Sequence, residues 1–150
     1  MGLGLDDLKK GHALPVLKKK VTFERIRDYA YVSGDLNPLH IDNNFAQKTS
    51  FGGIVAHGML TLAYVSEMMT KLFGEDWFSN GHLDMRFKNP ARPGDELTLS
   101  GEVISVVRKK TGTIIKCDIL CENQNAKPVL MGTCRVRLSR KEQNSVGRVG

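Results

Sequence analysis

The stretch from His57 to Phe73 constrains the fold more than any other part of this chain. Met59, Leu62, Val65, Met69, Leu72 and Phe73 recur at steps of three and four, which predicts an amphipathic helix over 57–73. Leu60, Ala63 and Met68 widen the apolar stripe until little of the helix is left to face water. Gly74 follows as a natural stop. A helix this apolar needs a sheet laid around it, and the second half of the chain supplies one.

Leu83, Met85 and Phe87 alternate with Asp84, Arg86 and Lys88, the period of a half-buried strand. Asn89-Pro90 and Pro93-Gly94-Asp95 make a turn. A second strand alternates through Leu97, Leu99, Gly101 and Val103, Lys109–Gly112 turns the chain, and Thr113–Glu122 and Val129–Leu138 follow as strands. Before the central helix, Val21–Ser33 reads as a shorter helix with Thr22 as N-cap and Gly34 as its end. Asp35–Asn44 reads as an ordered loop, and Phe45–Lys48 as one helical turn before Phe51-Gly52-Gly53. Helices first and an antiparallel meander after give an α+β domain. Residues 1–17, broken by Gly2, Gly4, Gly11 and Pro15, are expected to form an irregular arm, and 141–150 a flexible tail. With 150 residues and neither repeat nor linker, one domain spanning 1–150 is expected.

Composition narrows the classes. No apolar run approaches the ~20 residues of a membrane span, and the start lacks the pattern of a secretory signal. Three cysteines, Cys117, Cys121 and Cys134, make an odd count that predicts buried, reduced thiols and a cytoplasmic protein. On one strand Cys117 and Cys121 would stand roughly 13 Å apart at ~3.3 Å per residue, too far for a disulfide. No second pair completes a zinc set. The formal charge of +6 is spread over short groups: Lys18–Lys20, Arg25/Arg27, Arg86/Lys88, Arg108–Lys110 and Arg135/Arg137/Arg140. These read as solvated faces, without the long basic arm or interleaved aromatics of a nucleic-acid binder.

Two stretches carry chemistry. In Ser33-Gly34-Asp35-Leu36-Asn37-Pro38-Leu39-His40, Pro38 restricts its own backbone and that of Asn37, so that a carboxylate and an imidazole can face one point. Asp35 and His40 sharing one water would be an acid–base pair working near neutral pH. Taken alone, the loop suits a capping and turn role more readily than catalysis. The second stretch, Gly52-Gly53-Ile54-Val55-Ala56-His57-Gly58-Met59, opens the apolar helix. Its free N–H groups suit an oxyanion, or simply a glycine turn before a packed helix.

Together these stretches resemble the MaoC-like hydratases, among them (R)-specific enoyl-CoA hydratases and hydroxyacyl-thioester dehydratases. Phe87-Lys88-Asn89-Pro90, Pro93-Gly94-Asp95-Glu96 and the Asp6-Leu8-Lys9-Gly11 segment extend the likeness over roughly 5–139 in the right order. The resemblance implies a hot-dog fold, a long helix wrapped by a curved antiparallel sheet, working as a homodimer. It implies that Asp35 and His40 activate the water added to a trans-2-enoyl thioester, that Asn37 orients the pair, and that the Gly58 N–H stabilises the enolate oxygen. The implied product is the (R)-3-hydroxyacyl thioester, with no metal or redox cofactor. His57, from its position, is expected to shape the helix start and to belong to the substrate-binding surface. Ser66 and Met69 are expected to line the acyl pocket, although Met69 equally suits ordinary helix packing. The scattered cations gain a candidate partner in the phosphates of coenzyme A or an acidic carrier protein. A hot-dog thioesterase and a non-catalytic acyl-thioester-binding module are the rival readings.

Overall fold

A computed structural model describes residues 4–139. The elements run β1 (Leu17–Lys20), α1 (Phe23–Ser33), α2 (Pro38–Ile41), α3 (Asn43–Gln47), α4 (Gly58–Phe73), α5 (Glu75–Asn80), β2 (His82–Phe87), β3 (Glu96–Lys109), β4 (Gly112–Glu122) and β5 (Pro128–Leu138). The five strands form one antiparallel sheet in the order β1-β3-β4-β5-β2. A register shift between Val103 and Ser105 interrupts the long β3–β4 ladder, a bulge of the kind that bends a sheet. Helix α4 lies on the inner face of this sheet, the hot-dog arrangement that the family resemblance implies.

The core is shared between the two layers. Val65 and Met69 of α4 are fully buried, together with Leu97, Leu99 and Val103 of β3, Ile115 of β4 and Leu130 and Val136 of β5. Burying each such side chain contributes roughly 1.5–3 kcal/mol of transfer free energy. Cys117, Cys121 and Cys134 all point into this core as free thiols, and Cys117 stands opposite Cys134 across β4 and β5. Burial pushes all three thiols up to about 12.

Four expectations need correction. The 1–17 segment is not an irregular arm throughout: Leu8 and Leu14 are buried, Ala13 bridges to Glu102, and Leu17 already belongs to β1. Apolar anchors at Leu8 and Leu14 outweigh the local breakers. The lysine run 18–20 forms the rest of that edge strand, and Lys19 turns inward to pair with Glu67 of α4 at 2.5 Å. Arg108 likewise serves structure, its guanidinium donating to the carbonyls of Asp6 and Leu8. Helix α4 is less enclosed than its composition suggests, because the sheet covers one side and leaves Met59 and Ala63 exposed. Finally, Pro38–Ile41, read as loop, closes one short helical turn, and α5 was not expected at all. The proposed tail at 141–150 lies outside the described residues.

Among the described residues no helix is long and apolar enough to cross a membrane.

Candidate active site

The loop that carries Asp35 and His40 is held by a chain of local hydrogen bonds, each set by residue type. Gly34 ends α1 in the left-handed region (φ 79°), its N–H donating to the Ala30 carbonyl at 2.9 Å. The Asp35 N–H then donates to Ser33 Oγ at 3.2 Å, and the Asp35 carboxylate accepts the Asn37 N–H at 3.3 Å. Asn37 caps α2, its Oδ1 accepting the Leu39 N–H at 3.0 Å, with Pro38 at the first helical position. One turn of helix then turns His40 back toward the segment that precedes α4.

There His40 Nδ1 meets the Val55 carbonyl at 2.7 Å. A carbonyl only accepts, so Nδ1 carries the proton and the neutral ring keeps Nε2 as a free acceptor. His57, two residues further on, donates from Nε2 to the Asp35 carbonyl at 3.0 Å. The two imidazoles stack, with centroids 3.8 Å apart and planes 29° from parallel. Tyr29 of α1 packs on His57 at 4.9 Å. One donor atom from each of Asp35, His40 and His57 lies within 4.8 Å of the others.

Three such donors invite comparison with a metal site, and the ring geometry argues against it. Imidazole lone pairs lie in the ring plane, so stacked rings send them side by side, not to a common point. Each ring also spends one nitrogen on a main-chain carbonyl. Acid–base work needs only a carboxylate and one free imidazole nitrogen beside a water, and both are available.

Burial drives the His57 basicity below its ordinary value; the Asp35 carbonyl opposes this and the neighbouring His40 adds to it. His57 is 2% exposed, and its Nδ1 is buried without a hydrogen-bond partner among the described residues. It stands at the N-cap of α4 without a capping side-chain bond. The N–H groups of Gly58 and Met59 have no backbone acceptor among the described residues, as expected of a first helical turn.

A cavity of about 330 Å³ opens beside this point, with His40, Gly58 and Thr61 on one side and Leu39, Phe51, Val55, Phe87 and Val129 among its apolar walls. Arg92 fixes the Phe51 wall by donating to the Phe51 carbonyl at 2.6 Å. Asp35 and Asn37 are not among its lining residues. Ser66 and Met69 do not line it either. Ser66 Oγ accepts the Trp77 Nε1–H at 2.9 Å and ties α5 to α4, while Met69 is wholly buried between α4 and the sheet. No pattern in the sequence marks Thr61, whose Oγ1 donates to the Gly58 carbonyl at 2.6 Å, or Tyr29 as part of the site. Phe87 belongs to a run that extends the family likeness, but nothing in that run marks it as a cavity wall.

Comparison with known proteins identifies the family and the fold. A family profile described as "MaoC like domain" matches residues 9–121. A 3-hydroxybutyryl-CoA dehydratase of Methylorubrum extorquens is 28% identical over 142 residues, 94% of this chain and 87% of that one. An (R)-specific enoyl-CoA hydratase of Rhodospirillum rubrum is 33% identical over 106 residues, 70% of this chain and 72% of the relative. Among solved structures, the (R)-hydratase from A. caviae superposes with a TM-score of 0.74 at 26% identity, covering 87% of this chain and 97% of that one.

Proposed function

This chain belongs to the MaoC-like domain family, and from that membership and the geometry of its loop we propose that it is a hydro-lyase. Its reaction is the reversible addition of water to a trans-2-enoyl thioester, giving an (R)-3-hydroxyacyl thioester. The observation that carries this reading is the meeting of the Asp35 carboxylate and the His40 imidazole with the open end of α4, beside an apolar cavity.

The acyl chain enters between Leu39, Phe51, Phe87 and Val129. The thioester oxygen faces the Gly58 N–H, at the positive end of a 16-residue helix. A water held between Asp35 and His40 Nε2 gives its oxygen to C3 and one proton to the pair. A proton returns from the pair to C2, so the net addition is H and OH across the double bond. Asn37 sets the loop by capping α2. The reverse order of steps dehydrates the hydroxyacyl thioester. Coenzyme A and a carrier protein present the same thioester, so both are candidate carriers. The working unit is a homodimer in this reading, supported by exposed Met59 and Phe87 close to the cavity. Sedimentation at a monomer's rate at all concentrations would remove that part.

The test is to mix purified protein with crotonyl-CoA and follow the enoyl-thioester absorbance and free thiol together. Loss of the absorbance without thiol release is the expected result. Thiol release indicates a thioesterase. Inertness toward both crotonyl-CoA and longer enoyl-CoA and carrier-protein thioesters indicates a binding module.

A further inference from the structure

The segment Val55–Gly58 holds more of the site than the reaction itself calls on. His40 is anchored to the Val55 carbonyl, Asp35 to the His57 ring, and Gly58 offers the free N–H. The segment is in turn pinned to the turn after β2, the Ala56 N–H donating to the Ala91 carbonyl at 2.8 Å. His57 is the member of this segment with contacts to both halves of the acid–base pair.

We propose that His57 is the positioning residue of the site: its Nε2–H fixes the Asp35 main chain, and its ring face carries the His40 imidazole in register with the Gly58 N–H. The inference rests on the hydro-lyase reading for its kinetic part and on geometry alone for its structural part. His57 does not line the cavity, and its ring is almost wholly enclosed between His40 and Tyr29. Direct contact with substrate is therefore not its work. Its bond to Asp35 spans 22 residues of sequence and its stack on His40 spans 17, so one ring closes the loop onto the helix start. The orphaned Nδ1 completes the case. A ring kept only for packing would be served by an apolar side chain, whereas this one tolerates an unpartnered acceptor in order to present a donor on its other edge.

The test uses the full-length chain and two substitutions. His57→Phe keeps a ring face and loses the N–H; His57→Gln keeps an N–H and loses the ring. Ring nitrogen shifts in ¹⁵N spectra of the wild type come first, and should report His40 protonated on Nδ1 and His57 on Nε2. The opposite tautomer on either ring overturns the proposal whatever the variants do. With crotonyl-CoA, both variants should lose about 10- to 100-fold in kcat while KM stays within about threefold, the pattern of misplaced catalytic groups. In His57→Phe the His40 signals should drift toward a tautomer mixture. A folded variant of either kind with kcat within about twofold of wild type overturns the proposal. Should one variant fail to fold, the other is decisive. A wild type that hydrates no enoyl thioester defeats the hydro-lyase reading instead, and the tautomer measurement still judges the positioning.

Discussion

A Cβ built on Gly58 would lie 2.9 Å from Phe87 Cε1. Phe87 is 57% exposed in the single chain, so within one chain its ring has room to swing away. Gly58→Ala is therefore expected to leave stability within ~1 kcal/mol of wild type, since alanine also favours helix. It should nevertheless cost at least ~10-fold in enoyl-thioester hydration, because the displaced ring moves in a wall of the cavity and disturbs the oxyanion donor. Adding Phe87→Ala should recover part of that loss; an unaffected single variant would separate Gly58 from the chemistry. The candidate residues easiest to pick out in the sequence are those set close together along it. Asp35, Asn37 and His40 lie within six residues and stand out once the Gly52–Met59 stretch is read with them. Thr61, Phe87 and Tyr29 arrive at the site from α4, β2 and α1, and only the folded chain brings them together.

Helix α5 joins α4 through the Trp77–Ser66 hydrogen bond, and Trp77 is buried. Ser66→Ala leaves that indole N–H without an acceptor, which costs about 1–3 kcal/mol. Urea unfolding should show the loss as a lower midpoint with an unchanged slope. Chain-length preference among enoyl thioesters should not move. A shifted preference with unaltered stability would restore Ser66 to the acyl pocket, as the family resemblance had suggested. The elements found from sequence were the long periodic ones, α4 and the strands of the meander. Six residues of α5 carry too little periodicity to stand out. The edge strand β1 was hidden by three consecutive lysines, because Lys19 covers the Tyr64 ring at 5.4 Å and pairs with Glu67, contacts that exist only across elements.

For the molecule as a whole, two groups tie stability to pH in the same direction. The unfolded chain takes up a proton at His57 near 6.5, whereas the buried ring resists until lower pH. Glu67, held down mainly by its hydrogen bond to Lys19, behaves likewise below its ordinary 4.5. In both windows the unfolded state binds more protons, so stability falls as pH falls. Urea midpoints should accordingly drop between about pH 7.5 and about pH 5.5, and His57→Phe should flatten that interval while leaving the more acidic one. A slope identical in the two proteins would contradict the burial of a neutral His57. The thiols offer a check on the same core. Pushed up to about 12, they should resist alkylation in the native state and react only on unfolding. The α+β class followed from periodicity, and the hot-dog fold from motif resemblance. The strand order, with β2 at the far edge beside β5, depends on pairings between residues about fifty positions apart, such as His82 with Arg135.

Asp35 and His40 together are proposed to activate water for addition to an enoyl thioester. Turnover of crotonyl-CoA by wild type, Asp35→Asn and His40→Ala, each first shown to be folded by circular dichroism, tests it most directly. The wild type should hydrate the substrate, and kcat should fall roughly 10²–10⁴-fold in each variant. Full activity in folded Asp35→Asn would contradict it.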